Sequence, residues 1–190
     1  MSIKLIGGQF KNHQLKSPKS SLIRPTSALV RKAVFDICQS DIEHARFLDL
    51  FAGTGAMGLE ALSRGAAQAT FVDNNKEALS CIKDNIAKLK VEDLCAVIVG
   101  DIPSVLERLQ RNERQFDIIY IDPPYLSPMP VKGVIEYLDH SSLVSQNGIV
   151  FVEEAQPSRL KPDETTFIHL LFEKSRRFGN TLLHQYRRFQ

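Results

Sequence analysis

Phe47-Leu48-Asp49-Leu50-Phe51-Ala52-Gly53-Thr54-Gly55-Ala56-Met57-Gly58 sets a short apolar run directly against a glycine-rich turn. The run is too short for an ordinary helix and reads as a buried strand. Gly53 and Gly55 let the backbone take positive φ and approach a ligand closely. The Gly-x-Gly-x-x-Gly spacing is weak evidence by itself; it gains weight here because it follows a strand and opens a helix. Such a turn can bind a dinucleotide, with the pyrophosphate on the helix N-terminus.

Downstream the alternation continues. The helix after the turn runs to Arg64 and is stopped by Gly65 at C′. Ala69–Val72 is a second strand ending in Asp73. Asn74 or Asn75 can cap the next helix, whose Leu79, Ile82, Ile86 and Leu89 form a core stripe. Cys95–Val99 is a third strand, followed by Gly100-Asp101 and a short helix with Pro103 in its first turn and Val105, Leu106 and Leu109 inward. Asp117–Ile121 is the fourth strand. A helix carrying Val131, Val134, Ile135 and Leu138 leads to the fifth, Ile149–Val152, entered through Asn147-Gly148. Near-continuous apolar strands alternating with amphipathic helices indicate an α/β fold, a mainly parallel twisted sheet with helices on both faces. The tail breaks the pattern. Phe167–Phe172 and Thr181–Tyr186, joined through Arg177-Phe178-Gly179-Asn180, read as a C-terminal antiparallel hairpin at the sheet edge.

Upstream, Ile3–Ile6 and Gln14-Leu15 around Gly7-Gly8 predict a small N-terminal β-hairpin, and residues 16–23 a basic loop. Thr26 or Ser27 can cap a helix that buries Val30, Ala33, Val34, Ile37 and Cys38, leaving Arg31 and Lys32 free for solvent or phosphate. The expected organisation is an extension over 1–23 and one domain over 24–190.

Asp122-Pro123-Pro124-Tyr125 ends the fourth strand. Two prolines cannot continue a strand ladder or enter a helix interior, so a stiff loop presents a carboxylate, a carbonyl and an aromatic ring at the sheet edge where ligands bind. Two acceptors beside a flat ring suit a planar group bearing an amine, such as a nucleobase. Asp49, Asp73, Asp101 and Asp122 each stand near the C-terminal end of a successive strand. Singly, each is an ordinary helix cap or strand-end acid. Together they suit a nucleoside carrying an amino acid: Asp49 or its adjacent backbone for the amino group, Asp73 for the ribose hydroxyls, Asp101 for an adenine amine with Ile102 against the adenine face. The Gly loop holds no Lys or Arg for phosphates. That ligand is S-adenosylmethionine.

A hydrophobic share of 43% with 24% charged residues fits one soluble domain. No apolar run approaches a membrane span, and nothing resembles a secretory signal. Cys38, Cys81 and Cys95 are widely spaced, and neither they nor the five His show metal-ligand spacing, so no metal and a reducing cytoplasm are expected. The net charge of +2 is uneven. Residues 1–40 hold seven Lys/Arg against Asp36 alone, residues 174–190 hold five against none, and residues 41–173 hold twelve against twenty-one acids. Basic ends around an acidic body suggest a polyanion-binding face.

These residues resemble a class I S-adenosylmethionine-dependent methyltransferase of the amino-methylating type, with a Rossmann-like fold. More narrowly they resemble the bacterial RsmD-like family, which methylates guanine N2 in small-subunit ribosomal RNA. The likeness runs through Ile6-Gly7-Gly8, Arg24-Pro25-Thr26, Arg31–Phe35, Phe47–Gly55, Gly58–Ala66, Asp122–Tyr125 and Phe178–Thr181. Ala28-Leu29 stand where the family usually has Asp-Arg, and Asn12-His13 where it tends to have Gly-Arg. The resemblance implies catalytic roles for Asp122, Pro123, Pro124 and Tyr125. It implies cofactor contacts from Thr26, Asp49, Phe51, Ala52, Gly53, Thr54, Gly55, Asp73, Asn74, Asp101 and Ile102, and RNA contacts from Lys11, Arg24, Arg31, Arg176 and Arg177. It also implies a monomer acting on ribosomal RNA, naked or within a partly assembled subunit. The competing expectations are an adenine-N6 or glutamine-amide methyltransferase, a nucleotide-dependent reductase, and an RNA-binding module without catalysis.

Overall fold

The computed structural model describes residues 3–17, 27–124, 130–158, 160 and 167–189. In chain order the elements are β1 (Ile3–Lys4), β2 (Gln14–Leu15), α1 (Ala28–Ile37), β3 (Arg46–Leu50), α2 (Ala56–Ser63), β4 (Gln68–Asp73), α3 (Lys76–Leu89), β5 (Cys95–Val99), α4 (Ile102–Arg111), β6 (Phe116–Ile121), α5 (Val131–His140), β7 (Val144–Ala155), β8 (Leu170–Phe178) and β9 (Thr181–Arg188). The helix signals act where they were read. Ser27 Oγ accepts the Val30 N–H at 3.2 Å, and Asn75 Oδ1 accepts the N–H groups of Glu77 and Ala78 at 2.9 and 3.1 Å. Gly65, at φ 105°, follows the last turn of α2.

Seven strands form one sheet in the order β5-β4-β3-β6-β7-β9-β8. The first five are parallel, and β9 and β8 close one side antiparallel. The chain winds outward from β3 through β4 to β5, then crosses back to β6 and winds the other way. The reversal falls between β3 and β6, which is where such sheets hold ligands beyond their carboxyl ends. Strand residues alternate between two layers. Phe47, Ile118, Tyr120, Ile149 and Phe151 pack with α1, α2 and α3; Leu48, Leu50, Ile119, Ile121, Val150 and Val152 pack with α4 and α5. The Rossmann-like architecture expected from the sequence is present, C-terminal hairpin included.

β1 and β2 pair antiparallel as expected, with Ile3 opposite Leu15. The hairpin shares the α1–α3 core through Ile3, Leu5 and Leu15. It is seated on α2: the Gln9 N–H donates to Ser63 O at 2.8 Å, the Phe10 N–H to Ser63 Oγ at 2.9 Å, and the Ile6 N–H to Glu60 Oε2 at 2.8 Å.

Two strands exceed their expected bounds. β7 begins at Val144 rather than Ile149. Its register against β6 jumps from Phe116↔Val144 to Ile118↔Ile149, so Ser145–Gly148 bulge out of the ladder and mimic a turn in the sequence. In the tail, β8 begins at Leu170 and continues through the polar run Glu173–Arg177. As the outermost strand it needs no continuous apolar pattern there.

Candidate functional site

Two loops meet over the β3–β6 boundary. Leu50 and Ile121 are register partners, and beyond them the Asp122 N–H donates to Leu50 O at 3.4 Å. The Gly-rich turn and the Asp122-Pro123-Pro124 turn therefore leave neighbouring strands side by side.

The first turn is bent sharply. Phe51, Gly53 and Gly55 all have positive φ, at 61°, 56° and 75°. Such a value is unusual for a residue with a side chain and costs on the order of 1–3 kcal/mol, the kind of strain that accumulates at functional sites. The turn is braced from both flanks. The Gly53 N–H donates to Asp73 Oδ2 at 2.8 Å, and the Ala52 N–H to Val72 O at 3.0 Å. The Thr54 carbonyl accepts from Asn85 Nδ2 on α3 at 3.1 Å. At Gly58 an added Cβ would lie 2.3 Å from the Phe71 ring, so α2 rests directly on β4.

The four strand-end acids do different work. Asp73 is half-buried, and each of its oxygens accepts one amide N–H, from Gly53 and Asn75, both at 2.8 Å. Each oxygen keeps acceptor capacity for a hydroxyl. Asp101 is exposed and caps α4: its Oδ2 accepts from the Ser104 N–H and hydroxyl at 3.1 and 2.9 Å. Those bonds hold its carboxyl below the usual range. The cap employs one oxygen and leaves Oδ1 toward solvent.

Asp49 departs from expectation. Its side chain is 2% exposed, and Oδ2 accepts the Gly58 N–H at 3.0 Å. Burial pushes this carboxyl well above its ordinary value, against the Gly58 bond and with the Asp73 charge adding to the rise. It braces the turn from beneath, so only the adjacent backbone is left to meet an amino group. Ile102 is 5% exposed and packs with Val105 and Leu106 in the α4–α5 layer, which leaves little of its side chain for an adenine face; its backbone N–H, in the first turn of α4, is not affected by that burial. Asn74 is exposed, and Ala52 and Thr54 are buried within the turn.

Asp122 and Pro123 are half-buried and Pro124 is exposed. Tyr125, Arg24 and Thr26 lie outside the described residues. Among the cationic residues, Lys11 is exposed at the tip of the first hairpin, and Arg177 is exposed with Nε donating to Gly179 O. Arg176 is half-buried, with Nη1 donating to Gln185 Oε1 at 2.8 Å.

Arg31 does not face solvent. It is 3% exposed under the hairpin, and Nη2 donates to Lys4 O at 3.1 Å. Nε and Nη1 have no hydrogen-bond partner among the described residues. Burial pulls the guanidinium below its ordinary value, against the nearby Glu60 and Tyr120. A cation enclosed in this way cannot reach an RNA phosphate.

Asn85 was overlooked in the sequence. It is fully buried on α3, and besides Thr54 it holds the Lys16 backbone twice: Oδ1 accepts the Lys16 N–H at 2.7 Å, and Nδ2 donates to Lys16 O at 3.0 Å. The signal was present, since an amide sits next to Ile86 on the apolar stripe. Glu153 is a further acid without a sequence-based role, although it follows the apolar run Ile149–Val152 much as Asp122 follows its own.

Among the described residues no helix is long and apolar enough to cross a membrane, and no group of three His, Cys, Asp or Glu is placed to hold a metal.

A family model described as conserved hypothetical protein 95 (Cons_hypoth95) matches residues 3–187. The chain is 32% identical over 151 residues to the ribosomal RNA small subunit methyltransferase D of Escherichia coli (strain K12), spanning 80% of this chain and 74% of that protein. It is 30% identical over 151 residues to the putative rRNA methyltransferase YlbH of Bacillus subtilis (strain 168), spanning 80% and 82% respectively. Among solved structures, the putative methyltransferase yhhF from Escherichia coli superposes with a TM-score of 0.85 at 28% identity, covering 100% of this chain and 99% of that one.

Proposed function

The chain belongs to the conserved hypothetical protein 95 family, and from that premise we propose that it transfers a methyl group from S-adenosylmethionine to the exocyclic N2 amine of a guanine in small-subunit ribosomal RNA. The observation that carries this reading is the meeting of the Gly turn and the Asp122-Pro123-Pro124 turn on adjacent strands, joined by the bond from Asp122 to Leu50. One turn suits the methyl donor, the other the base.

The residues fit the donor. Asp73, at the mouth of the strained turn, keeps acceptor sites for two ribose hydroxyls. On this reading Asp101 Oδ1 accepts from the adenine amine, and the Phe51–Gly55 backbone meets the amino acid end; the α4 cap uses only Oδ2. No Lys or Arg stands in the turn to favour a pyrophosphate instead. When bound, S-adenosylmethionine supplies a methyl group activated by its sulfonium, so the chemistry left to the protein is positioning of a weak nucleophile.

The guanine amine is weakly nucleophilic because its lone pair is shared with the ring. The Asp122 carboxylate and the Pro123 carbonyl accept its two N–H bonds, turn the nitrogen lone pair toward the methyl, and favour the positive charge that develops there. The proton is then lost readily, to Asp122 or to water. Tyr125 stacks on the extruded base. Lys11, Arg24, Arg176 and Arg177 grip the RNA backbone, with residues 1–23 as the basic extension and 24–190 as the catalytic domain. On this reading the protein is a cytoplasmic monomer, and its substrate is small-subunit ribosomal RNA, naked or within a partly assembled subunit.

The test is transfer of labelled methyl to small-subunit ribosomal RNA and to isolated subunits lacking the modification. Label recovered as N2-methylguanine, and lost in Asp122→Ala, is expected. Tight cofactor binding with no label on either substrate would sink the reading.

A further inference from the structure

The same end of the sheet carries a fifth acid that the mechanism above does not employ. Glu153 follows Val152, the register partner of Ile121, just as Asp122 follows Ile121. Each acid thus comes directly after the last position of its strand paired in the β6–β7 ladder, and neighbouring strands lie roughly 5 Å apart. Side chains alternate along a strand. Tyr120 and Phe151 share one core layer, so Glu153, two residues further along β7, points to that same side, while Asp122 opens the loop just past the end of β6.

Glu153 is half-buried and held from behind. Tyr120, 1% exposed, donates its phenol O–H to Glu153 Oε2. Its neighbour Glu154 shows the contrast. It turns into the other layer, where its Oε2 accepts from the Ser158 hydroxyl and the Leu160 N–H and lies 3.6 Å from His184 Nε2. Of two consecutive acids, one ties the structure together. The other is held by Tyr120, one position past the ladder pair that precedes Asp122.

We propose that Glu153 makes this site specific for guanine: with the exocyclic amine held at Asp122, the Glu153 carboxylate accepts the N1–H of the same base. The proposal rests on the guanine-N2 reading above and adds the means of discrimination. The Watson–Crick edge of guanine sets N1–H beside its amine, a continuous row of donors. Adenine sets a bare N1 lone pair beside its amine, and so does 2-aminopurine. A fixed carboxylate accepts from the first and repels the other two. Sites built to hydrogen-bond a particular N–H reject the analogue lacking it far more strongly than apolar pockets reject a missing methylene. The Tyr120 bond fixes Oε2, and a carboxylate has acceptor sites enough for a second donor.

The experiment compares guanine with 2-aminopurine at the position that the wild-type protein is first shown to methylate, in otherwise identical RNA. Wild type is expected to favour guanine by about a hundredfold or more. In Glu153→Gln the preference should fall at least about tenfold. Guanine slows, and 2-aminopurine speeds up because the glutamine amide donates to its bare N1. Tyr120→Phe, which frees the carboxylate without removing it, should give a smaller fall in the same direction. Binding of S-adenosylhomocysteine should not change in either variant. A wild-type preference retained by both variants, or equal slowing of both bases, overturns the proposal. Should Glu153→Gln fail to bind S-adenosylhomocysteine and so prove misfolded, the ratio in Tyr120→Phe decides alone. Failure of wild type to form N2-methylguanine on any small-subunit RNA overturns the underlying reading, and this proposal with it, and is seen before any variant is made.

Discussion

Strand β6 carries an aspartate near each end, and they live in opposite conditions. Asp117, near the start, accepts from Arg46 three times, through Nε at 3.0 Å, Nη2 at 2.9 Å and the backbone N–H at 2.8 Å, and from the Ser145 hydroxyl at 2.8 Å. Burial works to raise its carboxyl, but the Arg46 and Ser145 bonds outweigh burial and hold it down at about 2. Asp122, past the other end, is half-buried, with its N–H donating to Leu50 O, in a loop two prolines keep from pairing further. One edge of the sheet is stitched shut. The other is where the Gly turn and the Asp122-Pro123-Pro124 turn leave the sheet side by side. Nothing local separates the two aspartates in the sequence, since each sits beside an apolar run. The difference comes from which neighbouring strand brings a cation.

Variants at the two edges should therefore separate cleanly. The largest effect is expected for Asp122→Ala: a loss of roughly a thousandfold in methyl transfer with folding and cofactor affinity little altered, measured by single-turnover transfer and by calorimetry with S-adenosylhomocysteine. If cofactor affinity falls just as far, the division of labour between the two turns is wrong. Next is Asp73→Ala, expected to weaken S-adenosylhomocysteine about ten- to a hundredfold through the lost ribose acceptors and the released Gly53 amide. Asp117→Asn should cost about 1 kcal/mol in urea unfolding and leave the rate constant of transfer unchanged. A loss of rate comparable to that of Asp122→Ala would break the comparison.

The pH dependence sharpens this further. The folded carboxyl of Asp117 lies below the ordinary aspartate value of about 3.9. Its stabilisation is thus fully present above pH ~4 and is lost as pH falls toward ~2. Wild type and Asp117→Asn should converge in stability across that window and differ above it. The smallest effect is expected at Lys11→Ala: RNA binding weaker by a few-fold at low salt, with the slope of log affinity against log salt reduced by about one and cofactor affinity unaffected.

Much of this was legible from residues alone. The parallel strands, the two caps at Ser27 and Asn75, the glycine stop at Gly65 and the terminal hairpin are set by local pattern, and local pattern is what a single sequence records. The site was legible as a list of strand-end acids but not as a division of roles. Asp49 and Asp73 look alike on paper. One lies beneath the turn and the other beside it, and only the packing of Gly58 against Phe71 distinguishes them. Arg31 was misread because it is covered by a hairpin whose Lys4 carbonyl lies 27 residues away, a contact no helical periodicity encodes. β7 was read short because its polar bulge carries a turn signal inside a strand.

The docking of the first hairpin has a consequence for how the protein is made. Its polar partners include Ser63 and Asn85, which lie 53 and 69 residues further along from Phe10 and Lys16. A ribosome adding about 5–20 residues per second needs on the order of several seconds to supply them. During that interval Ile3, Leu5 and Leu15 lack the α2 and α3 surfaces that complete their core, and a two-stranded hairpin alone is marginal in water. The hairpin thus waits for part of its docking surface, and a stall or rare codon between residues 16 and 85 would lengthen its exposure to chaperones and proteases.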